Sequence, residues 1–191
     1  MLPSDLRRML DAFNGDIYIA GGAVGALQND LPVKDYDLFV CNPQIINEAA
    51  NFLEVLGWRK NTPTKNAITF KKPGLPTVQI ITRWVYPTVW EGLQAFDFTC
   101  TQQAITNSAL VSLIGAAEAY KQKVLQYTEP ERKEGAAGSF WHMYNYAKKG
   151  FTITPDDAAR IIARFTPTVS LSKGRKKKAI YKNLCKAFRG Y

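Results

Sequence analysis

Histidine occurs once in this 191-residue chain, at His142, and cysteine three times, at Cys41, Cys100 and Cys185, never in a C-x-x-C pair. A histidine-built metal centre or a Ser-His-Asp triad therefore has little material, and neither a disulfide framework nor a zinc site is indicated. The thiols are expected to be reduced and to lie in or near the core. No apolar run approaches the roughly 18–20 residues that a spanning helix needs, and the opening MLPSDLRRML lacks the apolar stretch of a signal peptide, so the chain reads as cytoplasmic with no membrane partner. Low-complexity tracts and internal repeats are also missing. Acidic residues are absent from positions 172–191, which hold 8 Lys+Arg, whereas the preceding 171 residues hold 17 Lys+Arg against 16 Asp+Glu. Almost the whole formal charge of +9 is thus one terminal block. Any metal chemistry has to rest on carboxylates.

What is present is enough for a folded core, with 46% hydrophobic and 12% aromatic residues. PSDLRRMLDAF spaces Leu6, Met9, Leu10 and Phe13 as an amphipathic helix with Ser4 as its N-cap. DIYIA reads as a strand running into Gly21-Gly22, followed by a short helix over AVGALQND. KDYDLFV alternates as a half-buried strand, which puts Asp35 and Asp37 on one face. Pro43 opens a helix to about Leu56 that Gly57 ends. AITFKK and TVQIIT pair as a hairpin, VWEGLQ forms a short helix, and AFDFTCTQ reads as a further strand carrying Asp97. From about Ser108 the pattern turns helical: SALVSLIGAAEAY, then Arg132 to Lys149, then PDDAARIIARF with Thr154 as N-cap and Pro155 at its first position. Strands first and helices second predict an α+β fold: a mixed-sheet catalytic domain over residues 1–105, then a small helical lobe over 106–191.

Two aspartates one residue apart on a strand present their carboxylates together, and carboxylate and phosphate oxygens are what Mg²⁺ prefers. Asp97, on a neighbouring strand, is expected to be the third ligand of a two-metal site. In such a site ions about 3.5–4 Å apart activate the attacking hydroxyl and hold the triphosphate and leaving pyrophosphate. Mn²⁺ is expected to substitute. Gly21 and Gly22 lack side chains, so the backbone can approach phosphate oxygens there, beside N–H groups that open the next helix.

Gly21-Gly22, twelve intervening residues and then Asp35-Tyr36-Asp37-Leu38 resemble the signature of the DNA polymerase β-like nucleotidyltransferase superfamily. Within it, IAGGAVGALQNDLPVKDYDLFV, DFTCTQQAI and YNYAKKGFTIT resemble, in order, segments of CCA-adding tRNA nucleotidyltransferases and their short phage-type relatives. The chain departs from that pattern at Gly25-Ala26, where those enzymes carry an Arg-Asp pair, and at Phe96, where they carry an Arg. His142 and Asn145 stand in the region of their arginine-rich nucleotide-selecting helix. These departures bear on CCA addition rather than on nucleotidyl transfer. The resemblance implies transfer of an NMP or dNMP from a nucleoside triphosphate to the 3′ hydroxyl of a nucleic acid, tRNA or RNA ahead of DNA. The alternatives weighed beside it are nucleotidylation of a protein or small molecule, and a catalytically inactive nucleic-acid-binding module.

Lys133, His142 and Tyr146 are further candidates for nucleotide contact, Tyr146 and Tyr144 by stacking on a base. Arg132, Lys148 and Lys149 are candidate phosphate contacts. The terminal SKGRKKKAIYKNLCKAFRGY spaces Ile180, Leu184 and Phe188 as an amphipathic helix. Its Lys176, Lys177, Lys178 and Lys182 are expected to face a nucleic-acid backbone.

Overall fold

A computed structural model describes residues 1–130 and 137–170. A seven-stranded mixed sheet carries the site. Helix α1 (Ser4–Ala12) leads into β1 (Ile17–Ala20), α2 (Gly22–Gln28) and β2 (Asp35–Val40). A 3₁₀ turn at Pro43–Ile45 runs into α3 (Ile46–Val55), followed by β3 (Arg59–Lys60), β4 (Ala67–Lys71), β5 (Thr77–Ile81) and α4 (Val89–Gln94). Then come β6 (Gln103–Ile105), β7 (Leu110–Ser112), α5 (Ala116–Lys121), β8 (Val124–Leu125), α6 (Ala137–Ala147), β9 (Thr152–Ile153) and α7 (Pro155–Ser170). Spatial order in the large sheet is β3-β4-β5-β2-β1-β6-β7. β2 and β5 run parallel while every other adjacent pair is antiparallel.

The two faces of this sheet have different work, and the period of two along its strands divides them. Ile17 and Ile19 of β1, with Tyr36, Leu38 and Val40 of β2, pack against Leu6, Met9 and Leu10 of α1 and Ala49, Ala50 and Leu53 of α3. The alternate residues Tyr18, Ala20 and Phe39 meet Leu93 of α4 on the opposite face. Asp35 and Asp37 share that second face by alternation. A further cluster, in which Phe98, Tyr120, Leu125, Phe151 and Ile161 are buried, fixes α5, α7 and the β8–β9 pair beside the sheet.

Three expectations are corrected. AFDFTCTQ is not a strand: Asp97 lies in a bend, and a 3₁₀ turn at Thr99–Thr101 follows, with the Thr101 hydroxyl donating to the Phe98 carbonyl at 2.7 Å. SALVSLIGAAEAY is not one helix: β7 pairs antiparallel with β6, so the sheet continues to Ser112, and only Ala116–Lys121 is helical. Sheet pairing satisfies the backbone there, and Leu110 and Ile114 stay exposed instead of forming a buried stripe. Ser4 does not cap α1; Pro3 holds the N-cap position with no side-chain bond. Thr154 does cap α7, its hydroxyl accepting from the Asp157 N–H at 3.2 Å. The expected C-terminal helix lies outside the described residues.

Candidate active site

The chain from β1 to β2 supplies the floor of the site. Gly21 sits at φ +86°, in the region only glycine enters without strain, and its N–H donates to the Gln103 carbonyl at 3.1 Å. A β-carbon there would stand 3.2 Å from the Phe96 ring. At Gly22 it would stand 2.5 Å from the Tyr146 hydroxyl, and at Gly25 2.2 Å from the Tyr120 ring. The glycines thus admit aromatic side chains as well as exposing backbone. Asp37 registers opposite Ala20 of β1 and Gln79 of β5, and Asp35 opposite Thr77. Both carboxylates therefore leave the strand at the end where the glycine turn begins.

A cavity of about 620 Å³ opens over them, within the roughly 300–1,000 Å³ of small-ligand sites. Gly21, Gly22, Asp35, Asp37, Asp97, His142 and Tyr146 all line it. Four cations, Lys34, Arg83, Lys123 and Lys149, line the same cavity. Aromatic side chains, among them Trp84, Tyr86, Phe96 and Tyr120, supply the apolar wall. Arg83 donates to Asn66 Oδ1 at 3.3 Å and lies over the Trp84 ring, 4.8 Å from its centroid. Asp35 is exposed, whereas Asp37 is half-buried at the pocket floor. Loss of solvent, and then the neighbouring Asp35 charge, push the Asp37 carboxyl up to about 7, with His142 and Lys149 acting in the other direction. Two carboxylates that resist being charged together are a fitting donor pair for a cation that neutralises both.

Asp97 has protein partners on α6. It is 5% exposed. Its Oδ1 accepts from the Ser139 hydroxyl at 3.0 Å, and its Oδ2 lies 2.5 Å from His142 Nδ1. Among the described residues no three His, Cys, Asp or Glu side chains group as a metal site. Asp35 and Asp37 stand together on β2, and Asp97 lines the same cavity with its oxygens directed to Ser139 and His142 of α6. Ser139 escaped the sequence reading, although its spacing of three from His142 on one helix face was a usable signal. Lys34, Lys123, Trp84 and Tyr86 also escaped it, because loop positions carry no periodicity.

Tyr146 packs edge-on against Phe151 with ring centroids 4.9 Å apart, and Lys149 Nζ lies 4.9 Å from its ring centroid. Burial pushes its hydroxyl well above the usual phenol value. Tyr144 faces outward, with Lys148 Nζ 4.5 Å from its ring centroid. Lys133, Arg132, Lys176, Lys177, Lys178 and Lys182 lie outside the described residues. No helix among the described residues is long and apolar enough to cross a membrane.

A mixed sheet with a glycine turn beside a D-x-D strand, closed by helices, defines the polymerase β-like nucleotidyltransferase fold. Solved structures agree on that fold. The CCA-adding enzyme of Thermotoga maritima in complex with tRNA superposes at a TM-score of 0.62 and 19% identity, covering 88% of this chain and 43% of its own. A tRNA-processing enzyme with CTP gives 0.64 and 18%, covering 89% and 48%. The Bacillus stearothermophilus CCA-adding enzyme with CTP gives 0.57 and 16%, covering 88% and 45%. This chain spans less than half the length of each. In sequence it matches, over residues 4–123, the profile of the Gabija anti-defense 2 family, and it belongs to that family. No curated protein matches it in sequence.

Proposed function

We propose that this protein is a magnesium-dependent nucleotidyltransferase that moves a nucleoside monophosphate from a triphosphate to an acceptor hydroxyl. The observation that carries the reading is the pairing of Asp35 and Asp37 on one strand face in a cavity that Lys34, Arg83, Lys123 and Lys149 also line. Carboxylates bind a hard cation, and the surrounding cations match a polyphosphate. Asp35 and Asp37 would hold Mg²⁺, which usually takes one or two protein carboxylates and completes its shell with substrate phosphates and water. Bound there, the ion supplies charge neutralisation at the phosphates.

The chain's own groups do the rest. Lys34, Arg83, Lys123 and Lys149 bind and orient the phosphates, and the aromatic wall offers faces for a base and excludes water. The favoured acceptor is the 3′ hydroxyl of a nucleic acid, tRNA or RNA ahead of DNA, because CCA-adding enzymes share the fold and the basic terminal block suits a phosphate backbone. A second reading, transfer onto a protein hydroxyl, has one observation in its favour: the family is described as acting against a defence system, a role that invites a protein target. The test is incubation with each α-labelled triphosphate, Mg²⁺ and a panel of tRNA, RNA, DNA and protein fractions. Label in elongated nucleic acid supports the first reading and label in protein the second. Label in neither, with no pyrophosphate released, ends both.

A further inference from the structure

The transfer reading assigns no task to the tie between Asp97 and α6, and that tie has a chemical consequence. A carboxylate accepts hydrogen bonds and does not donate them, so the proton between Asp97 Oδ2 and His142 belongs to Nδ1, 2.5 Å away. Ser139 holds the other oxygen at 3.0 Å, so the buried carboxylate cannot turn. In the neutral imidazole the other nitrogen, Nε2, then keeps its lone pair. The ring lines the pocket that holds Asp35 and Asp37, and its side chain is 46% exposed. Lys34, Arg83, Lys123 and Lys149 are donors, and the two β2 carboxylates are committed to the cation. Among the described residues lining the pocket, His142 is left as the basic lone pair on offer. The trio does not form a hydrolase triad, because Ser139 bonds the carboxylate and not the imidazole.

Resting on the nucleotidyl-transfer reading, we propose that His142 is a catalytic residue that takes the proton of the attacking acceptor hydroxyl, with Asp97 and Ser139 as the positioning residues that fix its tautomer. As the acceptor oxygen bonds to the α-phosphorus, its proton passes to Nε2. The bond from that phosphorus to the bridging oxygen breaks, and pyrophosphate leaves with the electron pair. Asp97 then faces an imidazolium, whose charge it balances. A general base of this kind contributes about 10²–10⁴-fold to rate.

His142 is the chain's one histidine, so tag-free protein gives a single imidazole signal. Long-range ¹⁵N–¹H spectra should report the Nδ1–H tautomer in the wild type and its loss or mixing in Asp97→Asn. Single-turnover pyrophosphate release should be measured with Mg²⁺, each of ATP, CTP, GTP and UTP, and tRNA or an oligoribonucleotide as acceptor. His142→Ala should be slower by about 10²-fold or more with triphosphate affinity unchanged, its melting temperature should fall because buried Asp97 loses a partner, and free imidazole should restore part of the rate. His142→Gln should be equally slow, which guards against a folding defect in the alanine variant. The inference is overturned by an Nε2–H tautomer, by either variant at the wild-type rate, or by a loss that appears in triphosphate affinity alone and that imidazole does not relieve. A wild type that releases no pyrophosphate with any acceptor removes the transfer reading and this inference together, whereas an active wild type matched by His142→Ala removes only the inference.

Discussion

Tyr146 places its hydroxyl over Gly22, 2.5 Å from the point that a β-carbon on that glycine would occupy. The tyrosine comes from α6 and the glycine opens α2, so this contact joins the helix above the pocket to the pocket floor. The ring is pinned by Phe151 and Lys149 and cannot swing aside freely.

Gly22→Ala should therefore destabilise the protein by about 1–3 kcal/mol, the usual cost of forcing an extra carbon into a packed contact. Removing the hydroxyl makes room: the ring carbon that bears it is 3.6 Å from the same point, an ordinary contact. The double variant Gly22→Ala/Tyr146→Phe should recover much of the loss. Urea melts of the four proteins measure the coupling; additive effects would show that the two residues do not meet in solution.

Asp37→Asn should raise the melting temperature of metal-free protein at neutral pH, because it removes a charge that both burial and Asp35 disfavour. Mg²⁺ should stabilise the wild type, and much less either Asp35→Asn or Asp37→Asn, because binding to the folded state alone adds to its stability. Both variants should lose nucleotidyl transfer, and chelation of the metal should abolish it in the wild type. Calorimetric scans with and without Mg²⁺ decide the matter; equal shifts in all three proteins would remove the cation from this pair.

Asp5 gives the fold a pH dependence of its own. Lys72 Nζ, 2.7 Å away, holds the Asp5 carboxyl below its usual value of 3.8, with Trp58 Nε1 donating to the same oxygen at 3.0 Å. A carboxyl depressed by folding contributes stability that is fully present above the unfolded value and is lost as pH falls through the folded one. Lys72→Met should therefore cost stability at neutral pH, and the gap to the wild type should narrow as the pH falls below the usual carboxylate range and the Asp5 carboxyl takes up its proton. Denaturant midpoints across that range test it, and a gap that stays constant would assign the loss to packing.

Neutralising Lys176, Lys177, Lys178 and Lys182 should weaken nucleic-acid binding about equally across sequences. It should also make log affinity against log salt shallower, by roughly 0.7–0.9 for each phosphate no longer neutralised. Single-turnover transfer at saturating acceptor should change little. Binding titrations at several salt concentrations measure the slope; an unchanged slope with a collapsed rate would place these lysines in the pocket instead.

Where a residue's surroundings are set by its own strand or helix, the sequence was readable. Asp35 and Asp37 alternate with Tyr36 and Leu38, so β2 and the shared face of the two carboxylates followed from period two alone. The capping of α7 by Thr154 followed from Thr-Pro at its start. Asp97 was misplaced because Phe96, Phe98 and Cys100 alternate as a strand does, while the chain bends there to reach α6. Ser139 and His142, which Asp97 bonds, lie more than forty positions away. The parallel pairing of β2 with β5 was equally invisible, since no local pattern encodes which strands become neighbours. β7 was missed because Leu110, Val111, Leu113 and Ile114 recur at spacings a helix also permits.

Strand β2 ties the geometry of the candidate site to the phase of a single segment. Its even-numbered residues Tyr36, Leu38 and Val40 fill the core beneath, while its odd-numbered acids line the cavity above. A one-residue insertion within the strand would drive both carboxylates into hydrocarbon and lift a tyrosine and a leucine into the pocket, so the core and the candidate site would fail together. The turn from Asn29 to Lys34 is under no such constraint, because added length there leaves the phase of the strand intact. Natural insertions and deletions in this family should accordingly accumulate in that turn and stop at Asp35.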